Sequence, residues 1–305
     1  MAGKGITQDL LKEEILRQED MRELFSFYDA LLTARRQILQ DLPPVVPADE
    51  AGAGEFAKAL NEERYAASVA GPKIDPDAFA GAFQKMAAVV AKKAPHLAKA
   101  ARFYAQLDPS TLPPFDPAAM GSSGLVASPE AGPAPEEPAR KPALSIPENP
   151  EDPEGRLFRQ LYTNAVQPFF EKFALELAPV VEKADWHEAY CPVCGNRPAI
   201  AQTIGGGARD LYCTFCGTRR HYPRLACPHC ENTDHEQLRY MEISEKPQYR
   251  IDVCEDCKGY VKVLVQSGDS ESESFNPFVA DILTLHLDAL AQKHGYSPNP
   301  QHPAH

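Results

Sequence analysis

No stretch of this chain approaches the roughly 18 consecutive apolar residues that a membrane-spanning helix requires. The opening MAGKGITQDLLKEE has neither the apolar core nor the small-residue cleavage site of a secretory leader. Both absences lead us to expect a cytoplasmic protein with no membrane partner. Positive charge is also scarce: 31 Lys and Arg face 43 Asp and Glu, a formal net charge of -12. Repulsion of that sign opposes a general affinity for phosphate backbones, although a local basic patch can override it. No serine, cysteine or carboxylate arrangement reads as a catalytic centre, and the acidic residues are most simply solvated faces, so we expect no enzyme. Cysteine is missing everywhere outside residues 191–257.

Within that window the pattern is dense. All eight cysteines fall into C-x-x-C pairs: Cys191/Cys194, Cys213/Cys216, Cys227/Cys230 and Cys254/Cys257, with none left over. A C-x-x-C turn lets two thiolates converge on one ion, and two such turns complete a tetrahedron. The first two pairs are separated by eighteen residues and the last two by twenty-three, each enough for one hairpin. We therefore expect two metal ions per chain, iron or zinc, each held by four cysteine thiolates, since both metals accept a tetrahedral sulfur shell. A thioredoxin-like redox pair would need one C-x-x-C in a βαβ setting, and a disulfide framework would need an oxidising compartment. A closed shell leaves no position for water or substrate, which argues against metal-assisted hydrolysis. His221, His229 and His235 read as ordinary surface residues beside so many thiolates. The glycine after the second cysteine in CPVCG and CTFCG supplies the positive φ such a turn commonly uses, whereas CPHCE and CEDCK lack it.

Elsewhere the apolar period is helical. Leu24, Tyr28, Leu31, Leu32, Ile38 and Leu39 predict a helix over 20–41, with Asp20 and Glu23 as a capping box. An Ala-rich stretch at 54–70 and the repeat Phe79, Phe83, Met86, Val90 predict two more, packed as a bundle. Residues 109–153 carry twelve prolines and almost no apolar periodicity, the composition of a linker or insertion. Leu157, Phe158, Leu161, Tyr162, Ala165, Phe169, Phe173, Leu177 and Val180 then mark a long helix over 155–183. Short β-type runs, 198–204, 209–213, 237–243, 249–253 and 260–265, alternate with the cysteine pairs and suggest hairpins, the first turning at Gly205–Gly207. That glycine run is no phosphate loop, because no Lys or Ser/Thr follows it. After an acidic loop at Asp269–Ser274, a last helix is expected with Ile282, Leu285 and Leu290 on one face.

The expected architecture is thus multi-domain, α plus small β. It comprises a helical domain (1–108), the Pro-rich segment (109–153), a long helix (154–186) and two four-cysteine modules of rubredoxin-like or zinc-ribbon type (187–225 and 226–268). A C-terminal helix (275–295) closes it. Arg219, Arg220, His221 and Arg224 form a basic cluster between the modules. It could bind nucleic acid, but partial neutralisation of two dianionic metal–thiolate centres is the plainer account, and we do not expect a nucleic-acid partner.

The order of motifs, HEAYCPVCGNRPA, LYCTFCGT, RLACPHC and YRIDVCEDCKGYVK, resembles the FdhE family of formate dehydrogenase accessory proteins. The resemblance covers about residues 155–295, including the RLFRQLYTNAVQPFFEKFA helix, and more weakly the N-terminal part. It implies a helical region followed by tandem rubredoxin-like modules, ligands at all eight cysteines, and binding of the formate dehydrogenase catalytic subunit in the cytoplasm during its maturation. Thr218 and His221 agree with the family's stretch after the second pair, whereas Arg219 and Arg220 stand where members often carry an acidic residue and tryptophan. We place no family counterpart for the Pro-rich segment. The readings from other classes are a nucleic-acid-binding zinc-ribbon protein and, ranked last, a thiol redox protein; a homodimer is left open.

Overall fold

The computed structural model describes residues 6–46, 50–108, 111, 153–204, 207–243, 248–265 and 275–300. The Asp269–Ser274 loop, Gly205–Gly206 of the glycine turn and almost all of the Pro-rich segment lie outside the described residues. The helical period of the first hundred residues resolves into α1 (Gln8–Arg17), α2 (Arg22–Asp41), α3 (Glu50–Asn61), α4 (Pro76–Lys93) and α5 (Ala98–Ala105). The expected Asp20/Glu23 capping box does not form. Met21 takes the N-cap position of α2 without a side-chain bond, because Asp20 lies in a single 3-10 turn, Glu19–Met21, that runs straight into the helix. α4 is capped as its sequence dictates: Pro76 opens it, and the Asp75 carboxylate accepts from Ala78 N–H at 2.9 Å.

Helix α6 (Pro153–Val181) follows and packs on α2, α3, α4 and α5. It buries Leu157, Phe158, Leu161, Phe169, Phe170, Phe173 and Leu177 in one core with Phe56, Phe79, Phe83, Met86 and Val90. Each such side chain contributes about 1.5–3 kcal/mol on burial. Edge-to-face rings add geometry to that area, as between Phe56 and Phe173 with centroids 5.5 Å apart. The helix continues through Pro168 and Pro179. Burial of the residues around Pro168 outweighs the backbone bond that the ring removes.

The β-type runs become β1 (Ile200–Ile204), β2 (Ala208–Tyr212), β3 (Arg219–His221), β4 (Leu238–Glu242), β5 (Tyr249–Cys254) and β6 (Tyr260–Val265). The hairpins expected as separate units share one six-stranded sheet of order β3-β2-β1-β6-β5-β4. Every pairing is antiparallel except β1 with β6, which joins the two cysteine modules in parallel, Ala201 opposite Val263. The last helical segment is two helices, α7 (Pro277–Leu283) and α8 (Leu285–Lys293). The break falls at Thr284, whose hydroxyl donates to the Ala280 carbonyl at 2.7 Å. Because the helical phase restarts there, Leu287 and Ala291 face the sheet, and Leu285 and Leu290 are only partly buried. Lys262 on β6, 1% exposed, ties both helices down through ion pairs of 2.6 Å to Asp281 and to Asp288. No described helix is long and apolar enough to cross a membrane.

Candidate metal centres

Each C-x-x-C pair sits in a tight loop whose backbone closes on itself. Cys191 N–H donates to the Asn196 carbonyl and Gly195 N–H to the Cys191 carbonyl, both at 2.9 Å. The same pair of bonds recurs at Cys213–Thr218 and Cys227–Asn232. Closing the loop requires a left-handed residue after the second cysteine. Gly195 and Gly217 take φ of 76° and 79°, and Glu231 and Lys258, which have no glycine's freedom, are forced to 62° and 58°. The two knuckles without glycine therefore adopt the same geometry at a cost in strain.

The loops bring the cysteines together as two quartets, Cys191/Cys194/Cys213/Cys216 and Cys227/Cys230/Cys254/Cys257, with the sulfurs of each quartet within 4.8 Å of one another. Nearest sulfurs stand 3.5 Å apart in the first, Cys191 to Cys216 and Cys194 to Cys213, and 3.7 Å apart in the second, Cys227 to Cys257 and Cys230 to Cys254. A tetrahedron of sulfurs about 2.3 Å from a central ion has edges of roughly 3.8 Å, so both quartets have the dimensions of an S4 site. Four thiols so placed cannot all ionise on their own. Burial pushes Cys194 and Cys216 up, while hydrogen bonding from Cys257 holds Cys227 down to about 5. A divalent cation at the centre is what lets all four sulfurs of a quartet carry charge. Both iron and zinc fit this donor set.

The quartets differ in their surroundings. The first is fully buried within the helical core. Its loops are bonded to the bundle through Ala66 N–H to the Pro192 carbonyl and Ala67 N–H to the Val193 carbonyl, 2.8 and 2.9 Å. Two arginines flank it. Arg35 of α2, 6% exposed, donates to the Phe215 carbonyl and to Glu171, with its guanidinium 3.7 Å from the Phe278 ring centre. Burial lowers its pKa, and Glu171, Cys216 and Cys213 oppose that shift. Arg220, also buried, donates to the Ala189 carbonyl and feels the negative charge of Cys191. The second quartet packs against little besides Leu238, and Cys230 is partly exposed.

The basic cluster of the sequence is divided by the fold. Arg220 points inward beside the first quartet, Arg219 pairs with Asp210 at 2.6 Å, and Arg224 is exposed. His221 and His235 lie on the surface as expected, but His229 does not. It is 3% exposed, because its knuckle turns the ring inward, where Nε2 lies 2.8 Å from the Tyr260 carbonyl. Gly259 makes room for it: a Cβ there would sit 2.7 Å from the His229 ring. Arg35 was not singled out from the sequence, although a charge beside Leu31, Ala34 and Ile38 on the buried side of α2 is a signal for it.

A family model described as the FdhE C-terminal domain matches residues 225–303, and one described as the ChsH2 rubredoxin-like zinc ribbon domain matches residues 212–236. A Protein FdhE homolog from Aquifex aeolicus is 31% identical over 144 residues, 46% of this chain and 49% of that protein. Protein FdhE of Escherichia coli strain K12 is 33% identical over 127 residues, 40% of each. The aligned stretch thus spans half or less of these relatives' length. The crystal structure of the FdhE protein from Pseudomonas aeruginosa superposes with a TM-score of 0.60 over 98% of both chains at 18% identity, which establishes a shared fold. The chain is therefore similar to the FdhE family in sequence at its cysteine-bearing end and in fold along its length, as the order of its motifs implied.

Proposed function

We propose that this protein is a non-enzymatic accessory factor in the formation of formate dehydrogenase, binding the catalytic subunit of that enzyme in the cytoplasm. All eight cysteines act as ligands to two metal ions, and the ions stiffen residues 187–225 and 226–268 into a recognition platform carried by the helical bundle. The observation that supports this best is the pair of closed sulfur quartets built into one sheet, in a chain with the FdhE fold. A complete thiolate shell supports the platform role over hydrolysis, since it offers no open coordination position. Iron would add one-electron chemistry, and zinc would leave the sites redox-inert. Co-purification of the intact, metal-loaded chain with the catalytic subunit is the direct test; repeated failure to bind would refute the reading. The nucleic-acid alternative loses its main support from the dispersal of Arg219, Arg220 and Arg224.

A further inference from the structure

The two quartets carry different groups at one shared position, two residues after the second cysteine of each knuckle. In the first quartet both of these residues serve a sulfur. Asn196 Nδ2 donates to Cys194 Sγ at 3.4 Å, and Thr218 Oγ1 lies 3.0 Å from Cys216 Sγ. Hydrogen bonds of this kind hold a ligand in its charged, bound form. In the second quartet neither side chain does so. Asn232 Nδ2 donates instead to Asp256 Oδ2 at 3.1 Å, and Gly259 offers its backbone N–H, 3.3 Å from Cys257 Sγ. The His229 ring leaves no room for a Cβ at that glycine.

Burial and charge divide the quartets in the same way. No cysteine of the first is more than 3% exposed. The buried guanidinium groups of Arg35 and Arg220 are bonded to its chain at Phe215 and, two residues before Cys191, at Ala189. Cations so placed offset the excess negative charge of four thiolates around a divalent ion. At the second quartet, Cys230 alone of the eight cysteines is partly exposed. A carboxylate stands beside it, with Asp256 Oδ2 3.9 Å from Cys230 Sγ. The edge of a four-sulfur shell is roughly 3.8 Å, so this oxygen stands one ligand spacing from the sulfur. The knuckle residues forced to positive φ without being glycine, Glu231 and Lys258, also belong to this quartet, so letting a ligand go relieves strain there.

We propose that the second quartet is an ion-exchange site, with Cys230 as the ligand that leaves and Asp256 as the ligand that replaces it, while the first quartet retains its ion. The Cys230 thiolate swings to solvent and takes a proton from the buffer as the Asp256 carboxylate occupies the vacated position. The charge on the ion does not change and no electron moves. Three thiolates and one carboxylate hold a thiophilic ion less well than four thiolates, and an acceptor bearing thiolate or nitrogen ligands then displaces the remaining sulfurs. This rests on the reading of the eight cysteines as ligands, and it makes one of the two ions transferable.

The test mixes the intact, zinc-loaded chain with excess 4-(2-pyridylazo)resorcinol and follows the absorbance of the zinc complex. N-ethylmaleimide traps each thiol as it is freed, for identification by mass spectrometry. Half of the bound zinc is expected to leave at least about tenfold faster than the rest, with label at Cys230 and its quartet before any cysteine of the first. Asp256→Asn and Thr218→Val are compared with the parent after circular dichroism shows them folded. Asp256→Asn is expected to slow the early phase severalfold and leave the late phase unchanged, and the slowing is expected to persist at about 1 M salt, where simple charge repulsion is screened. An early phase that Asp256→Asn leaves unchanged or quickens, or a slowing abolished by salt, would overturn the role of Asp256. Thr218→Val is expected to quicken the late phase by about tenfold and spare the early one. Release in a single phase, or label entering the first quartet first, would overturn the exchange site while leaving the ligand reading standing. A folded chain that takes up no zinc would refute both.

Discussion

The residues that follow the second cysteine of each knuckle show how much local backbone the metal loops demand. Gly195 and Gly217 have similar positive φ, yet their substitutions are not equivalent. A Cβ on Gly195 would lie 3.0 Å from the Tyr65 ring, and one on Gly217 would be 3.5 Å from Phe278, an ordinary contact. We expect Gly217→Ala to cost about 1 kcal/mol, the left-handed penalty alone, and Gly195→Ala to cost roughly 1–2 kcal/mol more, read from denaturant midpoints. At the first quartet, Arg35→Ala should destabilise by about 3 kcal/mol, because it leaves Glu171 and the Phe215 carbonyl without their donor. His229 carries a pH prediction. Burial lowers its pKa below the ordinary 6.5, so below that value the unfolded chain binds a proton that the folded chain refuses. Stability is therefore lost as pH falls through about 6.5, and His229→Gln should flatten that slope in thermal melts between pH 5 and 7. At this scale the sequence was uneven evidence. The cysteine pairing was legible because ligand geometry fixes the spacing. His229 was not, since nothing local says that a knuckle side chain turns inward.

Among elements, the strongest periodicities were read correctly: α4 has the bounds its caps and Phe79–Val90 repeat imply, and α6 follows its apolar stripe. α1, α5 and the three-residue β3 were not anticipated, being short and decided by tertiary contact rather than by propensity. The expected single helix at the C-terminus breaks at Thr284, a residue whose preference for bonding back to the preceding turn is weak evidence until the Lys262 ion pairs are known. The fusion of two hairpin units through the parallel β1–β6 pair was invisible for the same reason: it is a long-range pairing with no local signal. The two quartets differ in what they hold together. The first lies within the main core, and the second clusters with little but its own cysteines. Cys194→Ser should accordingly lower protection from hydrogen exchange in α2, α6 and β1 together. Cys230→Ser should deprotect β4, β5 and the last two knuckles and leave the bundle within error of the parent. Equal loss across the chain from both variants would contradict this division.

For the whole molecule, helices and sheet meet at the first quartet, so an ion held there is expected to support both halves alongside apolar burial. Each structural site can contribute on the order of 10 kcal/mol, as much as the net stability of a typical domain. The sheet half has little interior of its own once the sulfurs are set aside: its clusters are small and divided. The helical bundle has apolar packing besides the quartet, with Phe56 and Phe83 in one core with Phe158 and Phe173 of α6. The most direct test is metal analysis of anaerobically purified protein by mass spectrometry, with circular dichroism followed during chelation. Two ions per chain, with loss of the sheet signal as they are withdrawn, is the expected result; protein that holds no metal yet keeps residues 191–257 fully ordered would contradict it.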